Sequence, residues 1–349
     1  MSFCRALACG SLALVLGLSV TLQADEVVLI AGSSIKATGN RVRGTVVSES
    51  PTEVKLDTPA ATVPVDQIAS ISYAGQPPSL TLAETRESNG ALSEAADQYQ
   101  KAATEAAGKD LVVRAAQFGR ARVLADVAQG DPSRAGQAID ALDGFIKAQP
   151  NSRQLGPALD ALARLYLQQG DFDKAARALA DLNKIPWAAD RAAVLTARVL
   201  AKRGQFDQAI AALDKMLASV PKESAKAREA QLAKAECLAG LKKYAEAEAA
   251  VLAVIQAASA EDAEAQALAH NTLGDCLRAA GKPKDALLAY LHTDILYSKD
   301  RDQHARALAQ IAQLWRELKQ EDRANEVVDR LKQDYPNSPW LNVAGGAKR

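Results

Sequence analysis

One alanine returns seven times along the chain, each time closing the same short phrase. GALSEA ends at Ala95, GDPSRA at Ala135, GDFDKA at Ala175, GQFDQA at Ala209, KKYAEA at Ala247, GKPKDA at Ala286 and KQEDRA at Ala324. The intervals are 40, 40, 34, 38, 39 and 38 residues, a period that belongs to stacked helix pairs and not to a single globular core. Twelve positions before six of these alanines stands a second small residue: Ala83, Ala163, Ala197, Ala235, Gly274 and Ala312. Small residues at a fixed offset, one per helix, let paired backbones approach closely where they cross. The pattern predicts a mainly α chain, an α-solenoid of about seven helix pairs.

The phrases resemble the tetratricopeptide repeat family. Repeat three places Ala163, Tyr166, Gly170, Phe172, Ala175, Leu179 and Leu182 at that family's small, bulky and turn positions. Repeat four does so with Ala197, Leu200, Gly204, Phe206, Ala209, Leu213 and Met216 before Pro221. Repeat six has Gly274, Leu277, Gly281, Ala286 and Tyr290, with Pro283 in place of the aromatic. Repeats five and seven put Lys242 and Lys319 where the turn glycine belongs, and repeat two falls out of register in its first helix, at Val123 and Asp126. The resemblance covers residues 79–340. It implies a concave groove, lined by the first helix of each pair, that takes a peptide or protein segment. Carried over, the groove positions are Asp160 and Arg164, then Arg191, Arg198 and Lys202, then Glu229 and Glu236, then Asn271, Asp275 and Arg278, then Arg306, Gln313 and Arg316. Arg164, Arg191, Arg198 and Lys202 form a basic segment expected to hold carboxylates, with Asn271 expected to pair the ligand backbone.

Residues 1–24 have the form of a secretory signal peptide. Arg5 is followed by the uncharged, mostly apolar run Ala6–Leu22, with Ala24 at the exit. Cys9 follows too short an apolar stretch to serve as a lipoprotein acylation site. The run is also shorter than a spanning helix needs, so no integral span is expected after processing. Residues 25–75 differ in texture: short β-branched or alternating runs are punctuated by Gly39-Asn40, Ser50-Pro51 and Thr58-Pro59. Five strands closing as a small barrel are expected there, weakly resembling an SH3-like or Sm-like module. Residues 76–78 read as a linker, and 341–349 as a frayed, disordered tail. The preceding phrase, Tyr335 to Trp340, looks like the inter-repeat phrase of bacterial envelope tetratricopeptide proteins.

Without Arg5 the chain carries 41 basic against 42 acidic residues, and aromatics are 4%, which argues against a nucleic-acid partner. No phosphate loop, nucleophile elbow or dinucleotide fingerprint is present. His270, His292 and His304 lack the spacing of metal ligands on one helical face. No catalytic residues, metal or cofactor are therefore expected. Cys237 and Cys276 occupy equivalent positions of successive repeats, too far apart for a disulfide, and are expected to be free, buried thiols. The reading is a non-catalytic exported scaffold, in the periplasm or cell envelope of a bacterium, binding a protein or peptide partner. A homo-oligomer stays open. The alternative is a structural, cell-wall-associated component tethered through the β domain, against which stands the presence of one aromatic, Tyr73, in residues 25–75.

Overall fold

The computed structural model describes residues 24–336 and 338–345; the expected signal segment lies, apart from Ala24, outside them. Six strands come first: β1 (Asp25–Leu29), β2 (Arg41–Gly44), β3 (Val46–Glu49), β4 (Glu53–Leu56), β5 (Ala61–Pro64) and β6 (Ile68–Ser72). They form two antiparallel three-stranded sheets, ordered β2-β1-β6 and β3-β4-β5. The expected five-stranded closed barrel is thus corrected. The alternating run around Arg41–Val47 is two strands, because the chain leaves one sheet for the other at Gly44. A Cβ there would stand 2.8 Å from the Thr58 carbonyl oxygen. The Asp25 carboxylate bridges the sheets, accepting from the Val46 amide at 2.7 Å and the Ala74 amide at 2.6 Å. Val27, Leu29, Val54, Leu56, Val63 and Ile71 fill the space between them.

Seven helix pairs follow. They are α1 (Pro78–Ser88) with α2 (Leu92–Glu105), α3 (Asp110–Gly130) with α4 (Ala135–Ala148), and α5 (Leu155–Gln169) with α6 (Phe172–Leu182). Then come α7 (Ala189–Lys202) with α8 (Phe206–Leu217), α9 (Ala225–Gly240) with α10 (Tyr244–Ala257), α11 (Ala263–Ala279) with α12 (Pro283–Leu296), and α13 (Arg301–Glu317) with α14 (Glu321–Asp334). The expected α-solenoid is present, and all seven phrase-closing alanines are buried. So are Ala83, Ala163, Ala197, Ala235 and Ala312. At Gly274 the missing Cβ makes room for a ring: a methyl there would lie 2.5 Å from Tyr290.

The turns explain the rest of the phrase. Gly170, Gly204 and Gly281 have φ of 76°, 77° and 74°, and the next amide reaches back five residues, as in Asp171 to the Tyr166 carbonyl at 2.9 Å. That is the left-handed helix stop that glycine favours. Lys242 and Lys319 take the same conformation, each with φ 61°. Repeat two lacks this stop. There α3 runs for 21 residues and ends in a 3-10 turn, Pro132–Arg134, capped by the Asp131 carboxylate, so its first helix keeps a different register.

Cys237 and Cys276 are free and buried. The tail differs from expectation: a short helix, α15 (Trp340–Ala344), packs on α13 and also meets α3, and Ala344 is fully buried. The apolar Trp340, Leu341 and Val343 hold it against Leu308, Ala312 and Leu331. Among the described residues no helix is long and apolar enough to cross a membrane.

Candidate binding groove

The first helices α3, α5, α7, α9, α11 and α13 stack as successive neighbours, which brings their equivalent positions together on one face. The basic segment is assembled, but its arginines already have carboxylate partners. Arg164 Nε donates to Asp160 Oδ2 at 2.9 Å, four residues back on α5. Arg191 bridges two helices, donating to Asp160 Oδ1 at 2.7 Å and to Glu229. Arg198 Nη2 stands 3.7 Å from Glu229 Oε1. Lys202, one turn further along α7, is exposed. The face is therefore a ladder of alternating charge in which Lys202 is the most open of these four cations, less basic than the spacing alone predicts.

Further along, Arg278 donates to Gln310 at 2.7 Å, to Gln313 at 2.8 Å and to Glu317. Asp275 accepts from the Tyr290 hydroxyl at 2.5 Å and from Arg306. Asn271 corrects its assigned role. It is fully buried, and its Nδ2 donates to the Gln303 carbonyl at 2.9 Å and to Gln303 Oε1 at 3.0 Å, so it ties α11 to α13 and presents no amide to a ligand.

Glu236 lies where these helices converge. Burial raises its pKa, Arg198, Arg306 and Lys202 pull it down, and Asp275 pushes it up again. Three first helices thus direct charge at one carboxyl on a fourth. Asp126, on α3, is a half-buried carboxylate that the repeat pattern did not single out as a charged partner of this face. Burial pushes its carboxyl up to about 6; Arg164 and Arg122 oppose the rise, while Glu87 and Asp302 add to it. Asp302 belongs to α13, and the short helix α15, which packs on α13 and holds Asp302 through Trp340, also meets α3, so the second and seventh pairs lie on either side of it. The one sequence signal was the failed register at Asp126.

His270 and His292 do become neighbours: their rings stack at 4.8 Å, and Tyr297 also stacks on His270, at 5.6 Å. Among the described residues no group of three or more His, Cys, Asp or Glu side chains is placed to hold a metal.

Two stretches match models of the tetratricopeptide repeat: residues 161–224 with 194–263, and residues 306–338. These are tetratricopeptide repeats. No match is found among curated proteins. Among solved structures, similarity is found to a tetratricopeptide repeat protein of Parabacteroides merdae ATCC 43184, at 14% identity over 77% of this chain and 98% of that one, with a TM-score of 0.49. A Rap protein complexed with competence and sporulation factor gives 14% identity over 75% of this chain and 76% of that one, with a TM-score of 0.48. The pilF protein of Pseudomonas aeruginosa gives 17% over 67% and 99%, with a TM-score of 0.37.

Proposed function

We propose that the chain is a non-catalytic scaffold, exported to the bacterial periplasm or envelope, that holds a protein or peptide segment in the groove of its tetratricopeptide array. The observation that carries this is the charged ladder on the first helices, where Arg191 of α7 joins Asp160 of α5 to Glu229 of α9 and Lys202 stands exposed one turn beyond Arg198. A stack of helices has no structural need to aim charge inward, where desolvation is costly; a surface that recognises a polar segment does. The small β unit, SH3-like in its strand succession, serves as a buttress for the first repeats. Export is supported by Arg5, the apolar run to Leu22 and Ala24 placed immediately before β1.

Two measurements test it. A photo-crosslinking amino acid at Lys202 is expected to capture a defined protein in living cells, and a second one at the exposed Asp207, on the second helix of the same pair, is not. Equal capture from both positions would sink the groove assignment. The intact mass of the cellular protein is expected to begin at Asp25; a chain retaining its first 24 residues would remove the export reading.

A further inference from the structure

The groove already holds a segment, and that segment is the chain's own end. Trp340 Nε1 donates to Asp302 Oδ1 at 3.0 Å. Gln313 Nε2 donates to the Val343 carbonyl at 2.9 Å, and Arg316 donates to the Ala344 carbonyl. Gln313 and Arg316 are two of the positions that the repeat resemblance assigns to ligand contact. On the far side, Pro339, Trp340 and Val343 face Ala125 and Gln129 of α3 and Ala161, Arg164, Leu165 and Gln168 of α5 across a cleft of about 240 Å³. Arg164 is a groove position too. Val343 and Ala344 end α15, so these donors satisfy carbonyls that the short helix leaves open, and an amphipathic helix laying its apolar side chains into a groove is a recurring mode of peptide binding.

We infer that this part of the groove is a docking site for a short helical segment led by a Ser-Pro-aromatic stop, and that residues 338–344 occupy it in cis as a competing ligand. This rests on the groove reading above and names the class of segment it takes. The physical argument is one of effective concentration. The tail is joined to α14 by only Tyr335 to Pro339, so its local concentration is on the order of millimolar. A free peptide with about 10 μM intrinsic affinity would meet a site that is open about one time in a hundred, and its apparent affinity falls by that fraction. A true partner must therefore outbind the tail, and a loose tail makes the groove promiscuous.

The test uses the full chain and a fluorescein-labelled synthetic peptide spanning residues 334–345. Trp340→Ala and, separately, Val343→Asp release the tail without altering the groove walls. Each variant is expected to bind the peptide about 10- to 100-fold more tightly than wild type, and a peptide with alanine at the tryptophan position is expected to bind none of them. If Trp340→Ala fails to fold by circular dichroism, Val343→Asp carries the experiment. Equal affinity for wild type and variant, or no binding to either, overturns the inference. Capture at Lys202 is measured in the same variants. A tail that proves irrelevant to peptide binding while Lys202 still captures its protein defeats the cis ligand and leaves the scaffold standing. Absence of capture at Lys202 from the wild type and from both released-tail variants defeats the scaffold.

Discussion

Arg153, in the turn between α4 and α5, reaches back 104 residues to place its Nε 3.2 Å from Oε1 of Glu49 at the end of β3. The Glu49 side chain has no exposed surface, and it also meets the Tyr73 hydroxyl and, at 3.5 Å, Arg114 of α3. One buried carboxylate thus joins the last residues of the β unit to the second helix pair. Trp187 adds a second tie, donating to the Pro51 carbonyl at 2.8 Å. Breaking one side of a buried ion pair strands the other and costs about 3–5 kcal/mol. Arg153→Met is expected near the lower end of that range, because Arg114 and Tyr73 remain. Chemical denaturation measures the loss, and protease cleavage within residues 74–77 should accelerate with it. An unchanged midpoint would show that the β unit is held by its apolar contacts alone.

Lys242 and Lys319 stand in a left-handed conformation that costs an L-residue about 1–2 kcal/mol and that glycine adopts freely. Lys242→Gly and Lys319→Gly are each expected to raise stability by about 0.5–1 kcal/mol, since the greater freedom of unfolded glycine offsets part of the gain. Gly204→Lys makes the reverse change in a sister repeat and should destabilise by a similar amount. Thermal melts of the three variants check the sign.

The repeat was legible because it rests on local rules. A turn glycine, an alanine at a crossing and a bulky residue one turn away act within one helix pair, so period and register follow from spacing. The β unit was legible only as strands. Whether Arg41–Val47 is one strand or two depends on the contact between Gly44 and the Thr58 carbonyl, which spacing does not show. The charge state of the first-helix positions was not legible, because Arg191 finds Asp160 and Glu229 across helices 31 and 38 residues away. The tail was the largest miss. Residues 341–349 read as a frayed tail, because nothing local says that Trp340 and Val343 would find α13 and lie opposite α5.

Gly274 offers a sharper check on the crossings than any alanine. A Cβ at that position would lie 2.5 Å from the Tyr290 ring, and the ring cannot retreat, because its hydroxyl is held by Asp275. Gly274→Ala is expected to cost about 1–3 kcal/mol by overpacking, although alanine is the better helix former in isolation. Adding Tyr290→Leu should recover much of that loss. Ala209→Leu, at the fully buried crossing with Ala197, is expected to cost a similar amount. Melting temperatures of the single and double variants decide it: a stabilised Gly274→Ala would mean that the sixth pair is looser than its geometry implies.

Two buried groups set opposite pH slopes. His270 titrates at about 4, well below the usual 6.5, because burial and the neighbouring His292 oppose its charge. The unfolded chain binds that proton first as pH falls from about 6.5 to 4, so stability is lost on acidification, by up to about 3 kcal/mol. Asp126 runs the other way. Burial lifts its carboxyl to about 6, so between about pH 4 and 6 the folded chain holds the extra proton and stability falls as pH rises. The upper bound is again about 3 kcal/mol, lowered by the water that reaches a half-buried groove. The two largely mask each other in the wild type, and single variants separate them. Asp126→Asn is expected to raise the melting temperature at pH 7.5 and to leave it nearly unchanged at pH 4. His270→Gln is expected to flatten the loss between pH 6.5 and 4. Because Asp302 both contributes to the Asp126 shift and accepts from Trp340, the Asp126→Asn gain also reports on the approach of α13 to α3. If that gain is as large at pH 4 as at pH 7.5, the carboxyl is not the source, and α13 does not approach α3 as described.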